Sequence, residues 1–297
     1  MNYIILDFEW DGAYYPKIGG FINQILQIGA VKLNERFDTV DTFDVTVRSS
    51  FTKRVSRRFT ELTGITKADM LAGIPLEEAF CRYNDWCGSD SITMTWSNSD
   101  IYTILENEKK LLDGTKLKIE KYLDLQQFIQ GEMRIKGIEV NSQISLANAA
   151  AVFGIEVDEE SLHNAKADSI ICAKLLKKCY NAERFSALIA DASDPRFFVR
   201  YSFKPYTIKN IDDDNLDKSL LVFNCPDCNI PLTLSRKWHY HSGTFFADLV
   251  CDNCDKKFTA RLRAKKYYDS VKVHRSIRIK TPPKEDDDDL QDMSEKV

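Results

Sequence analysis

Long apolar runs are missing from this chain of 297 residues. The longest nearly uncharged stretch, residues 141–155, is rich in Ala and Asn. It falls short of the roughly 18 apolar residues that a membrane-spanning helix needs. A secretory leader is missing as well. Tyr3-Ile4-Ile5-Leu6 is too short for the apolar region of a signal peptide and stops at Asp7. Both absences lead to the expectation of a soluble protein in a reducing cytoplasm, where paired cysteines favour metal binding or catalysis over disulfides. Histidine is scarce, with four in the chain. No internal repeat is visible. A strong charge of one sign is also lacking. Lys and Arg number 41 against 45 Asp and Glu, a net charge of -4. Such a balance neither requires nor excludes a nucleic-acid partner.

What is present points to about two domains and a sizeable core, since 43% of the residues are hydrophobic. Residues 1–182 alternate between strand and helix signals. Short apolar strands are expected at 2–6, 25–33, 92–96 and 121–125, and an alternating half-buried strand at 40–47. Helices are expected at 57–62, 76–87, 101–111, 144–153 and 165–180, with Gly64 and Pro75 as punctuation. Three strands in a meander, followed by strands alternating with helices, predict a mixed five-stranded α/β sheet flanked by helices. Residues 183–220 read as a partly helical connector. Residues 221–266 carry two Cys-x-x-Cys pairs. A basic block follows, residues 256–280, with ten Lys and Arg and a single acid, Asp269. The domain division is therefore 1–182, 183–220, 221–266, a basic extension at 267–283, and an acidic tail at 284–297. That tail holds seven acids and two bases and reads as disordered.

The chemistry concentrates in acids. Asp7 and Glu9 close the first strand. Side chains at i and i+2 share one face of a strand, so the two carboxylates project together. Hard divalent cations require such oxygen ligands. With this many acids, roughly seven acid-x-acid pairs arise by chance, so the pair alone is a weak sign. Asp100 opens the helix after the fourth strand, where the helix dipole alone would favour an acid. His163 and Asp168 stand before and within the last helix of the domain. Positions five apart lie about 140° from each other around an ideal helix. The two converge only if His163 sits on the preceding loop.

Taken together, Asp7-x-Glu9, Asp100 and His163-x4-Asp168 resemble the DEDDh class of 3′–5′ exonucleases, the DnaQ-like group of the ribonuclease H-like superfamily. Gln27-Ile28-Gly29-Ala30-Val31 and Glu61-Leu62-Thr63-Gly64-Ile65-Thr66 resemble segments of that family in place and order. The resemblance covers about residues 1–180. It implies an RNase H-like fold and a two-metal hydrolysis that releases 5′-mononucleotides from single-stranded 3′ ends, with RNA slightly ahead of DNA. It implies Asp7, Glu9, Asp100 and Asp168 as ligands of two Mg²⁺ or Mn²⁺ ions, and His163 as the general base. Trp10 departs from the small residue or Thr that many relatives carry there. Phe8, Trp10 and Leu62 are candidates to stack on or wedge between terminal bases, with core packing as the alternative for each. The rival reading of the whole chain is a non-catalytic nucleic-acid-binding scaffold on the same fold. It predicts loss of a site residue, and all five are present.

Cys225-x-x-Cys228 and Cys251-x-x-Cys254 are separated by 22 residues. Eight cysteines would give roughly 0.2 such pairs by chance, so two within thirty residues are a strong signal. They resemble a zinc ribbon, each pair supplying two thiolates to one structural Zn²⁺. The segment between them reads as a hairpin turned at Ser242-Gly243, and 258–262 as a third strand. Cys81, Cys87, Cys172 and Cys179 lie on helical patterns and read as small core residues. The basic block, with Tyr267, Tyr268 and Trp238 nearby, suits a nucleic-acid backbone.

Overall fold

The computed structural model describes residues 2–140, 143–158 and 162–280. The acidic tail at 284–297 lies outside the described residues. The chain forms two compact units, Met1–Ser202 and Phe203–Val297.

The first unit is a mixed sheet between two layers of helices. Its strands are β1 (Asn2–Tyr15), β2 (Gly20–Leu33), β3 (Thr39–Arg48), β4 (Ile74–Pro75), β5 (Ser91–Thr95), β6 (Lys121–Asp124) and β7 (Ala190–Asp191). The spatial order is β4-β3-β2-β1-β5-β6-β7. The meander β1-β2-β3 is antiparallel, and β5 and β6 add in parallel to β1. The five expected strands are thus present, bordered by the two-residue strands β4 and β7.

Period-two alternation sorts the core. Ile4, Leu6, Phe8, Ile28 and Ala30 face one helix layer, which includes α3 (Leu76–Cys87) and α4 (Ser99–Leu111). Ile5, Val31, Leu33 and Met94 face the other, with α5 (Leu125–Ile135) and α7 (Ala165–Cys179). The smaller helices are α1 (Arg57–Thr63), α2 (Lys67–Ala72), α6 (Leu146–Val152), α8 (Ala182–Leu188) and α9 (Pro195–Ser202). Local chemistry starts several of them: Ser56 caps α1, Thr66 and Asp69 form a capping box on α2, and Asn164 caps α7.

Three features differ from the pattern read in sequence. First, β1 and β2 stay paired out to Tyr15 and Gly20, beyond their neighbours, as a long hairpin; the buried positions of its far half include the polar Asp11 and Gln24, so no apolar alternation marks it in the sequence. Second, residues read as a connector supply α8, β7 and α9, which pack Phe185 and Phe197 into the two cores. Third, Cys81 is exposed, on the outer face of α3, whereas Cys87, Cys172 and Cys179 are buried. Among the described residues no helix is long and apolar enough to cross a membrane.

The second unit is an antiparallel sheet in the order β12-β11-β10-β9, formed by β9 (Thr233–His241), β10 (Thr244–Val250), β11 (Lys257–Lys266) and β12 (Val271–Ile279). A short strand β8 (Tyr206–Thr207) pairs with the end of β11. Ser242 and Gly243 both adopt positive φ, 46° and 83°, as a tight two-residue hairpin requires. Within the basic extension, Val271–Ile279 form the fourth strand, β12. One face of the sheet, with Phe245, Ala247, Leu249, Phe258, Ala260 and Leu262, is buried.

Candidate active site

The site forms where β1 leaves the sheet. Asp7 pairs in register with Gly29 of β2, and Glu9 with Gln27. Both acids share the face of Ile5, toward α7. A register shift between Glu9 and Trp10 marks a bulge just beyond them. Bulges re-aim side chains next to functional sites.

Asp100 enters from the first turn of α4 and is 3% exposed. It accepts from the backbone N–H of Phe8 and from its own. That contact ties α4 to β1 between the two acids.

Asp168 lies in the first turn of α7. The backbone N–H of His163 donates to its carboxylate. His163 adopts φ +64°, a left-handed conformation uncommon for a residue with a Cβ. The chain therefore turns back just before the Asn164 cap, and the imidazole reaches the same place as Asp168. Glu9, His163 and Asp168 each offer a ligand atom within 4.8 Å of the others. The condition set by the helical angle is met: His163 stands on the loop.

Burial and mutual repulsion govern the electrostatics. Desolvation, then the charges of Asp100, Glu9 and Asp168, push the Asp7 carboxyl well above the usual range. Burial, with Asp168 and Asp100 beside it, raises Glu9 to about 8. Burial raises Asp100 to about 7, against its two N–H bonds. It raises Asp168 to about 6, against the opposing pull of His163. The four acids lie near enough for their charges to act on one another, Glu9 and Asp168 within ligand distance of His163, and among the described residues no Lys or Arg forms an ion pair with them. The Oδ1 atoms of Asp100 and Asp168 are buried without a hydrogen-bond partner. Unpaired buried acceptors of this kind are costly unless a cation meets them. The donor set, four carboxylates, is the one that hard divalent ions take.

A second group positions the site and was only partly legible in the sequence. A Cβ on Gly29 would lie 2.1 Å from the Lys166 backbone nitrogen, so only glycine lets α7 approach β2 this closely. The Gln27 side-chain Oε1 accepts from the Ala165 N–H at 3.2 Å, and its Nε2 donates to Asp44 at 3.0 Å. Lys166 pairs with the same Asp44 at 2.9 Å. Ser169 donates to the Gly29 carbonyl at 3.2 Å. The start of α7, and with it His163 and Asp168, is thereby docked onto β2. The Gln27–Val31 stretch bonds to a helix 138 residues away, and that pairing has no local signal in the sequence.

The three residues read as base contacts have different placements. Phe8 is 3% exposed in the core, on the face opposite Asp7 and Glu9. Strand alternation sends it there, and packing accounts for it. Trp10 is half-buried beyond the strand end and packs on the edge of that core. Leu62 is 45% exposed on α1.

In the second unit the sulfur atoms of Cys225, Cys228, Cys251 and Cys254 all lie within 4.8 Å of one another. Two like-shaped turns present them. The Cys225 N–H donates to the Ile230 carbonyl and the Asn229 N–H to that of Cys225, at 2.8 and 2.9 Å. The Cys251 N–H donates to Lys256 and the Asp255 N–H to Cys251, at 3.0 and 2.9 Å. Asn229 and Asp255 both close their turns with positive φ. Cys225 and Cys254 sulfurs are 3.8 Å apart, and four thiolates at about 2.3 Å from one tetrahedral ion stand about 3.8 Å apart. Burial opposes ionisation of Cys251, but the N–H groups of Asn253 and Cys254 and the adjacent thiols bring it down to about 7. The four cysteines fit one zinc ion. His239 and His241 lie exposed on β9, outside this cluster.

The family model RNase_T, described as exonuclease, matches residues 4–176. No curated protein matches the chain. Among solved structures, cell-death related nuclease 4 is 16% identical, with a TM-score of 0.49 over 60% of this chain and 62% of that one. A full-length 3′-exonuclease is 19% identical, with a TM-score of 0.49 over 60% of this chain and 59% of that one. The chain thus spans about six-tenths of each of these two proteins. The nuclease domain of 3′hExo, a DEDDh family member bound to rAMP, is 19% identical, with a TM-score of 0.50 over 60% of this chain and 90% of that domain. At 19% identity the likeness to this last domain is one of fold. The family match extends over more than half of the chain, which therefore belongs to the RNase_T exonuclease family.

Proposed function

We propose that this chain is a metal-dependent 3′–5′ exonuclease acting on single-stranded ends, with catalysis in residues 1–182 and a structural zinc in residues 221–266. The observation that carries the reading is the approach of Asp7, Glu9, Asp100 and Asp168, close enough for the other three charges to raise Asp7, with Glu9 and Asp168 within ligand distance of the exposed His163. Asp7, Glu9, Asp100 and Asp168 would hold two divalent ions, Mg²⁺ or Mn²⁺. Such ions would acidify the attacking water, neutralise the phosphodiester and stabilise the departing 3′ oxygen.

The chain's own groups do the rest. His163 stands at the solvent side of the cluster, where it can accept the proton of an attacking water. Asp168 fixes the turn that carries His163. Asp100, held by the Phe8 N–H, keeps the far side of the cluster against β1. Trp10 and Leu62 are the side chains left to contact terminal bases. RNA is ranked ahead of DNA on resemblance alone, and a reducing cytoplasm suits the four thiols.

A time course on a 5′-labelled single strand with Mg²⁺ tests the proposal. It predicts a ladder shortening from the 3′ end, abolished by Asp7→Ala. A 3′-blocked strand should survive, and its cleavage would reveal an endonuclease. Full activity in Asp7→Ala would remove the site assignment, and no activity in the wild type would favour the scaffold reading.

A further inference from the structure

We infer that the open face of the β9–β12 sheet is a second binding surface for single-stranded nucleic acid, separate from the nuclease site. It goes beyond the proposed activity and stands on the second unit alone.

The charge pattern comes first. Along β11, alternate residues Lys257, Arg261, Arg263 and Lys265 are exposed, while Phe258, Ala260, Leu262 and Ala264 between them are buried. Register carries the pattern onto β12: Arg263 faces His274, Lys265 faces Lys272 and Thr259 faces Arg278. Exposed positions on one strand repeat about every 6.7 Å, so the bases form a ladder rather than a scatter. Among the described residues, Asp248 is the single carboxylate on these four strands, and Lys280 already pairs it at 2.7 Å. A polyanion is the partner that such a face complements.

Aromatic chemistry then favours a single strand. His239, Phe246 and Arg261 stand side by side across β9, β10 and β11. The imidazole stacks on Phe246 with ring centroids 5.9 Å apart, and the Arg261 guanidinium lies 5.6 Å from the Phe246 ring. Tyr267, in the turn after β11, carries Lys265 at 5.5 Å and Lys272 at 5.1 Å from its ring. Flat groups set among bases offer stacking to unpaired nucleobases, which have exposed faces that a duplex hides. An acidic peptide would use the charges but not the stacked row. Trp238 does not take part: it lies on the buried side, packed on Phe223. Arg275 is likewise withdrawn, donating to the Leu220 and Val222 carbonyls.

The test uses the full chain and a circular single-stranded oligonucleotide of about 30 nucleotides. A circle has no 3′ end, so the surface is read apart from exonuclease turnover. Binding is measured across a salt series beside hydrolysis of a linear tetranucleotide. Replacing Arg261, Arg263, Lys265 and Lys272 together by Gln should weaken binding to the circle at least tenfold. It should also flatten the slope of log affinity against log salt by about 2–3, near 0.7 per lost phosphate contact. Tetranucleotide hydrolysis should be unchanged. Phe246→Leu, which keeps the apolar volume and removes the π face, should weaken binding several-fold with little change in slope. Zinc content and melting temperature confirm that each variant is folded. Unchanged affinity for the circle in the fourfold variant overturns the proposal. So does a wild-type protein that binds duplex or polyglutamate as tightly as the circle. Cutting of the circle would instead count against the exonuclease reading and leave the binding result standing.

Discussion

Gly29 and Lys166 are in backbone contact: any side chain at position 29 would sit 2.1 Å from the Lys166 nitrogen. The consequence reaches the chemistry. Lys166 lies between His163 and Asp168, so the hydrogen atom that serves as the Gly29 side chain fixes how near those two residues come to Asp7 and Glu9. Gly29→Ala should push the start of α7 away from β2. Activity should fall by two orders of magnitude or more, because misplacement of about 1 Å costs about a hundredfold. A paired measurement of rate and melting temperature checks it. Wild-type activity in a folded Gly29→Ala would refute the positioning.

Gln27 acts through the same helix. Gln27→Leu strips the acceptor from the buried Ala165 N–H. An orphaned buried donor costs about 1–3 kcal/mol, and a loss of that size in denaturant unfolding is expected. Activity should fall with it, since His163 and Asp168 follow Ala165.

Divalent ions should stabilise the protein more as pH rises. Burial, joined by like charge at Glu9 and Asp100, holds Glu9 near 8, Asp100 near 7 and Asp168 near 6, above the values of about 4 that such acids have in an unfolded chain. The folded state therefore binds more protons than the unfolded one between about pH 4 and 8. Stability contributed by these acids is present at low pH and lost as pH climbs through that window. Melting temperatures without added Mg²⁺ should fall from pH 6 to 8.5, and Mn²⁺ should restore them most at the upper end. Asp7→Asn should shrink the effect. A Mn²⁺ shift that is independent of pH would speak against a cluster of protonated carboxylates.

The four-cysteine cluster should respond separately from the carboxylates. About one equivalent of zinc per chain is expected. Cys251→Ser should lower the zinc content and loosen the second unit in limited proteolysis, because structural zinc contributes folding free energy outright. Manganese binding by the nuclease cluster should persist.

How much of this was legible depended on how local each signal was. Asp7 and Glu9 could be placed because a strand repeats every two residues, and the same repeat sends Phe8 to the core, where it is 3% exposed. The four cysteines could be grouped because each pair is closed by one short turn. Asp100 looked like an ordinary helix start; only its bond to the Phe8 N–H shows why it belongs with β1. Gln27 and Gly29 act on a helix that is distant in sequence, so spacing says nothing of it. The β1–β2 hairpin was underestimated because the buried positions of its far half include the polar Asp11 and Gln24, so they leave no apolar alternation in the sequence. The strand β12 was hidden because its open face is basic and looks like a solvated tail.

The central claim is that four carboxylates from distant parts of the chain jointly seat a pair of divalent ions. Titration of the zinc-loaded protein with Mn²⁺, followed by electron paramagnetic resonance, tests it most directly. Two manganese ions per chain are expected in the wild type, and Asp7→Ala should lose at least one and weaken the other. Binding of no manganese, or two ions held equally well without Asp7, would contradict it.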